Sequence, residues 1–116
     1  KSTGATWPVN SRHGRRPVTR SERDYLQVVA QLGCIACRIN GLAGVPAEVH
    51  HQRQGTGMGR RASHFDTMPL CPGHHRFYDD AIHVNASRFV QRYGQEEELV
   101  RQTRSDVELY RSSFVG

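Results

Sequence analysis

The apolar positions of this chain fall into short groups whose spacing changes from helical to alternating and back. Thr19, with Glu22 three residues on, has the form of a capping box. Tyr25, Leu26, Val29 and Leu32 follow at helical spacing, so the pattern predicts a helix with a core-packing stripe, stopped by Gly33. Residues 34–46 form a glycine-punctuated knuckle. Residues 47–52 and 67–70 read as two short strands, and the glycine-rich stretch 54–61 between them must be a loop. Pro72 stands where a helix begins, and residues 73–83 are predicted to be that helix. Asn85 is placed to cap another, with Phe89, Val90 and Tyr93 as its buried face and Gly94 as its stop. Residues 95–104 and 106–114 are expected to be helical too, with Leu99, Val100, Val107, Leu109, Tyr110 and Phe114 apolar. Residues 1–18, rich in Gly, Pro, Ser and Arg, read as an extended arm pinned by Trp7 and Pro8. The class is α+β, with one domain over residues 19–116 behind the arm.

Size and composition add a constraint. At 116 residues the chain is one domain's worth, expected to bury roughly two thirds of its unfolded surface. Residues 50–75, however, offer only Met58, Ala62, Phe65, Met68, Leu70 and Cys71 as clearly apolar groups. A segment this poor in core-forming side chains needs a metal or a disulfide to hold it. Three cysteines cannot pair fully, which argues against a secreted disulfide scaffold and for a reducing cytosol. No stretch approaches the ~20 apolar residues of a membrane span, and no signal-peptide pattern is visible. The chain opens at Lys1 without a methionine, as a fragment of something longer would.

Charge is unevenly spread. Residues 1–76 carry 11 Lys/Arg against 4 Asp/Glu, a net +7, and residues 77–116 carry 5 against 7, a net −2. Arg12, Arg15, Arg16 and Arg20 precede the first acid, Glu22, and Arg53, Arg60 and Arg61 flank the glycine loop. Such a distribution suggests a polyanion partner held through its phosphates, although a solubilising tail has the same composition. The loop lacks the Lys-Ser/Thr and the following helix of a nucleotide-binding cradle.

The decisive chemistry lies between Cys34 and His83, which hold all three cysteines and six of the seven histidines. Cys34/Cys37 and Cys71/His74 are two short-spaced pairs of the kind a four-coordinate Zn²⁺ needs. A redox dithiol at Cys34-x-x-Cys37 would want a following helix and would orphan Cys71. Tying the two pairs together brings the strand with His50 and His51 across His75, with His83 two helical turns further on. These four imidazoles are then expected to meet at one spot, with room for a second divalent cation. His13 and His64 are left unassigned. Asp79 and Asp80 read as an exposed acidic face.

The pairs His50-His51 and His74-His75, with Asp66 five residues before Cys71, resemble the HNH, or ββα-metal, nucleases. More narrowly, with Gly57-Met58-Gly59-Arg60 and Pro69-Leu70-Cys71, they are similar to the RecA-dependent nucleases of the phage Ref type. The resemblance implies a zinc-stabilised ββα core and hydrolysis of DNA phosphodiesters. It implies His50, His75 and His83 as ligands of a catalytic Mg²⁺, Mn²⁺ or Zn²⁺, with Cys34, Cys37, Cys71 and His74 on the structural zinc. It implies His51 as general base, oriented by Asp66, although spacing alone leaves His50 and His51 interchangeable in that role. The implied partners are a RecA filament and single-stranded DNA or a recombination intermediate, with Arg12, Arg15, Arg16, Arg20, Arg53, Arg60 and Arg61 on the backbone. Departures from the pattern are histidine where many HNH enzymes use a metal-binding aspartate, Asp66 for asparagine, and His74 for a fourth cysteine. The alternative function is a non-catalytic zinc module that binds nucleic acid.

Overall fold

The structure, a computed structural model, describes residues 17–53 and 63–114. The expected arm up to Arg16 and the tip of the glycine loop, with Arg60 and Arg61, lie outside the described residues. The capping box forms as the sequence requires. Thr19 Oγ1 accepts from the Glu22 N–H at 3.1 Å, and the Thr19 N–H donates to Glu22 Oε1 at 2.8 Å. This cap, worth about 1 kcal/mol, starts α1 (Arg20–Gln31), which buries Tyr25 and Val29. Gly33 follows with φ of 83°, and a Cβ there would stand 3.2 Å from the Gly44 Cα. The helix stop and the close approach of the knuckle both demand glycine.

The knuckle contains one helical element, α2 (Ile35–Ile39), capped by a thiol: Cys34 Sγ accepts from the Cys37 N–H at 3.3 Å. Strands β1 (Glu48–His51) and β2 (Thr67–Leu70) pair antiparallel, with Glu48 opposite Leu70 and His50 opposite Met68. In a two-stranded sheet every strand is an edge, so Pro69 fits within β2. Strand alternation puts Glu48 and His50 on one face, Val49 and His51 on the other. Val49 packs with Tyr25, Val29 and Val107, between α1 and the C-terminal helix. The larger core cluster joins Cys34, Ile35, Cys37, Met68, Leu70, Cys71, Ile82, Phe89, Tyr93, Leu99 and Val100. Its fully buried Met68, Leu70 and Phe89 each contribute about 1.5–3 kcal/mol.

Two expectations are corrected after β2. The helix predicted over residues 73–83 is a single π-helical turn, Gly73–Phe77, closed by the Tyr78 N–H on the Gly73 carbonyl at 2.8 Å. The backbone is extended at Tyr78 and then folds back, and the Ile82 and His83 N–H groups donate to the carbonyls of His74 and His75 at 2.9 and 3.1 Å. Helix α3 (Ala86–Tyr93) starts where Asn85 caps it and stops at Gly94, φ 115°. The two predicted C-terminal helices are one, α4 (Glu96–Ser112), because Ser105 interrupts neither backbone hydrogen bonding nor packing and faces solvent. Among the described residues no helix is long and apolar enough to cross a membrane.

Candidate metal centres

Cys34 and Cys37 on α2 meet Cys71 and His74 at the entry to the π turn, all four buried. Their sulfurs stand 3.7, 3.5 and 3.3 Å from His74 Nδ1, and Cys37 Sγ is 3.8 Å from Cys71 Sγ. The cysteines are free thiols rather than a disulfide. A tetrahedral ion with bonds of about 2.3 Å to sulfur separates its ligands by about 3.8 Å, so the spacing fits a structural cation of the zinc type. The Cys37 thiol is pushed up to about 12 by burial and then by the Cys34 and Cys71 sulfurs. Such a crowd of thiols gives up its protons readily only to a cation.

The far side of His74 is equally determined. Tyr93 donates its hydroxyl proton to Asp80 Oδ2 at 2.9 Å, so its oxygen accepts from His74 Nε2–H, 3.1 Å away, and from Asn40 Nδ2 at 3.2 Å. That chain leaves the Nδ1 lone pair facing the sulfurs. Asp80 is therefore buried, not part of an exposed acidic face.

The second cluster is His50, His75 and His83, one ring nitrogen of each lying within 4.8 Å of the others. His50 Nδ1 is 3.2 Å from His75 Nε2, which is 3.1 Å from His83 Nε2. The outward nitrogens are engaged: His50 Nε2 with Glu96 at 2.7 Å, His75 Nδ1 with Glu48 at 2.8 Å, and His83 Nδ1 with an Arg53 guanidinium N–H at 3.1 Å. A carboxylate accepts only, so Glu96 and Glu48 hold the ring protons outside and turn the lone pairs of His50 Nδ1 and His75 Nε2 toward one another. Two facing lone pairs at hydrogen-bond distance are a donor set for a cation. Burial, with His50 and His75 alongside, pushes the His83 pKa down. Because Arg53 only donates, the neutral His83 ring carries its proton on Nε2 and points it at His75, so His83 becomes a third ligand when that proton moves to Nδ1 and Arg53 turns to another acceptor. This centre is more exposed than the first, with His50 buried, His75 half-buried and His83 exposed.

A family model described as recombination enhancement, RecA-dependent nuclease, matches residues 18–107, a span that contains both clusters. The chain belongs to the RecA-dependent nuclease family. No curated protein matches it. In this family member the neighbours His50 and His51 diverge: His51 Nε2 is hydrogen-bonded to His64 Nδ1 at 3.0 Å, so the four imidazoles do not share one spot. Burial lowers the His51 pKa, and the charges His64 and His50 would carry lower it further. Asp66 does not supply the contact to His51 expected of it. Its carboxylate pairs with Arg104 of α4, whose Nε also donates to the Phe65 carbonyl at 3.1 Å. Arg20 is exposed at the start of α1, Arg53 stands on the rim of the three-histidine centre, and Arg12, Arg15, Arg16, Arg60 and Arg61 lie outside the described residues.

Reading the sequence alone missed Glu48, His64, Tyr93 and Glu96 as partners of site histidines. Glu48 was legible in principle, two residues before His50 and so on the same strand face. Arg76 first, and His75 second, hold the Glu48 carboxyl well below its ordinary 4.5, at about 2. Its bonds to the turn thus persist as pH falls through 4.5 and are lost only toward about 2, the sign for a carboxylate with a depressed folded-state pKa. Carboxyl NMR is expected to find Glu48 still ionised at pH 4.5 and its titration in an Arg76→Ala variant moved up toward 4.5, with the share due to His75 retained. Equal titration in the two proteins would contradict the pairing.

Proposed function

We propose that this family member is a metal-dependent DNA endonuclease of the HNH type, acting in the bacterial cytoplasm on DNA held in RecA–single-strand complexes. The observation that carries the reading is the convergence of His50, His75 and His83 with their outward nitrogens already engaged. A zinc-binding scaffold alone has no use for such a centre. In this reading β1, β2 and the π turn are the ββα-metal core, and zinc on Cys34, Cys37, Cys71 and His74 fastens it. A divalent cation at the three histidines, Mg²⁺, Mn²⁺ or Zn²⁺, supplies Lewis-acid stabilisation of the charge that develops on the leaving 3′ oxygen.

The choice of base follows from placement. His50 is 2% exposed with Nε2 bonded to Glu96 and Nδ1 turned to His75, so it has no nitrogen for a water proton. His51 is half-buried, steadied by His64, and uncharged at neutral pH by the direction of its shift. It takes the proton of a water that attacks phosphorus in line as the bond to the 3′ oxygen breaks. The orienting role expected of Asp66 passes to His64. Arg53 reaches a phosphate beside the scissile one, while Arg20, Arg60, Arg61 and the arm's Arg12, Arg15 and Arg16 hold the backbone without reading bases.

The test is cleavage of DNA paired within a RecA filament. Cutting is expected to require both the filament and a divalent cation, and to fall by at least about 100-fold in a His75→Ala protein that still binds DNA. Binding without cleavage by the parent protein, under all three cations, would favour the non-catalytic module instead.

A further inference from the structure

Residues 96–98 are three consecutive glutamates in the first turn of α4, where acids favour the helix dipole. That accounts for Glu97 and Glu98, which face solvent. It does not account for Glu96, which is 3% exposed and points away from the surface onto the sheet. Burying a carboxylate is costly unless its oxygens are satisfied. Here Oε2 accepts from His50 Nε2–H at 2.7 Å, and Oε1 accepts from the Arg53 backbone N–H at 3.0 Å.

We propose that Glu96 is a positioning residue that fixes the proton of His50 on Nε2, so that Nδ1 is held as a bare lone pair toward His75 and His83. The C-terminal helix thereby becomes part of the three-histidine centre. The inference rests on reading that centre as a cation site. Its chemistry is specific to a carboxylate. A backbone N–H only donates, so the oxygen facing Arg53 must accept, and the histidine needs an acceptor too. Glutamine has the shape but one acceptor fewer. If its amide oxygen stays on Arg53, its NH₂ faces His50, and the ring must accept through Nε2 and carry its proton on Nδ1, aimed into the centre. The isosteric substitution thus reverses the tautomer and removes a ligand, which packing alone would not do.

Two readouts on the full chain, with its structural cation bound, test this. Long-range ¹H–¹⁵N NMR of the histidine rings is expected to show His50 as the Nε2–H tautomer in the parent protein and as Nδ1–H in Glu96→Gln. Calorimetric titration with Co²⁺ is expected to show the second-site affinity falling about 10–100-fold in Glu96→Gln and largely recovering in Glu96→Asp. A parent His50 carrying its proton on Nδ1 overturns the proposal without any variant, which covers a Glu96→Gln protein that fails to fold. A folded Glu96→Gln that keeps the parent tautomer, or keeps the parent Co²⁺ affinity, overturns it as well. Failure of the underlying reading looks different: the parent protein itself would bind no second Co²⁺, and the proposal would fall with it.

Discussion

A Cys37→Ser protein is expected to be unfolded at 25 °C, and the parent chain to unfold when a strong chelator strips its cation. The four-ligand cluster joins α2 to the π turn, and the larger core cluster contains all three of its cysteines. A structural zinc contributes on the order of 10 kcal/mol to a small fold, against a typical domain stability of about 5–15 kcal/mol. Removing one thiolate therefore takes most of the available stability. The same site predicts acid sensitivity. Without the ion the Cys37 thiol sits at about 12, so at neutral pH bound cation must displace its proton, and affinity falls as protons become plentiful. Circular dichroism melts with and without chelator measure this. A cooperative melt that chelation leaves unchanged would contradict it.

The second large effect is on catalysis. His51→Ala is expected to lower the cleavage rate by about 100- to 10,000-fold while DNA binding and cation affinity stay at parent levels. His64→Ala is expected to cost less, about tenfold, because the base remains and only its orientation is lost. Asp66→Asn should change the rate little, since that carboxylate serves Arg104 rather than His51. The pH profile carries the same signature. Burial lowers the His51 pKa from 6.5, so the base is active once pH exceeds that lowered value. The rate is expected to rise through a midpoint below 6.5 and to be flat across neutral pH. A His51→Ala protein that cuts at the parental rate would remove it from the mechanism.

The convergence of the four-residue cluster was legible because Cys34-x-x-Cys37 and Cys71-x-x-His74 are short-range spacings that chance packing rarely copies. The capping residues Thr19 and Asn85 and the stops at Gly33 and Gly94 were legible for the same reason: each signal is complete within a few residues. What could not be read was long-range. His83 reaches the centre because its backbone N–H bonds to the His75 carbonyl after a turn, not because two helical turns align it. Local periodicity extended that helix since nothing between Gly73 and His83 breaks it, whereas the backbone turns extended at Tyr78 and folds back so that Ile82 and His83 bond to the His74 and His75 carbonyls. Glu96 lies 46 residues from His50, and Tyr93 lies 19 from His74. Each is an ordinary helix residue until the fold places it against a ring. Asp66 and His64 show the reverse case: the family likeness pointed to the carboxylate, whereas His64 stands beside His51 and Asp66 beside Arg104.

One chain is expected to hold two cations of different kinds, one closed in and structural, the other open and reactive. Counting bound metal by elemental analysis and calorimetry in the parent and in His50→Ala tests it most directly. One tightly held zinc is expected in both proteins, and a second, weaker divalent site is expected in the parent and not in His50→Ala. A parent protein that binds only one cation, or a second site indifferent to the loss of His50, would contradict it.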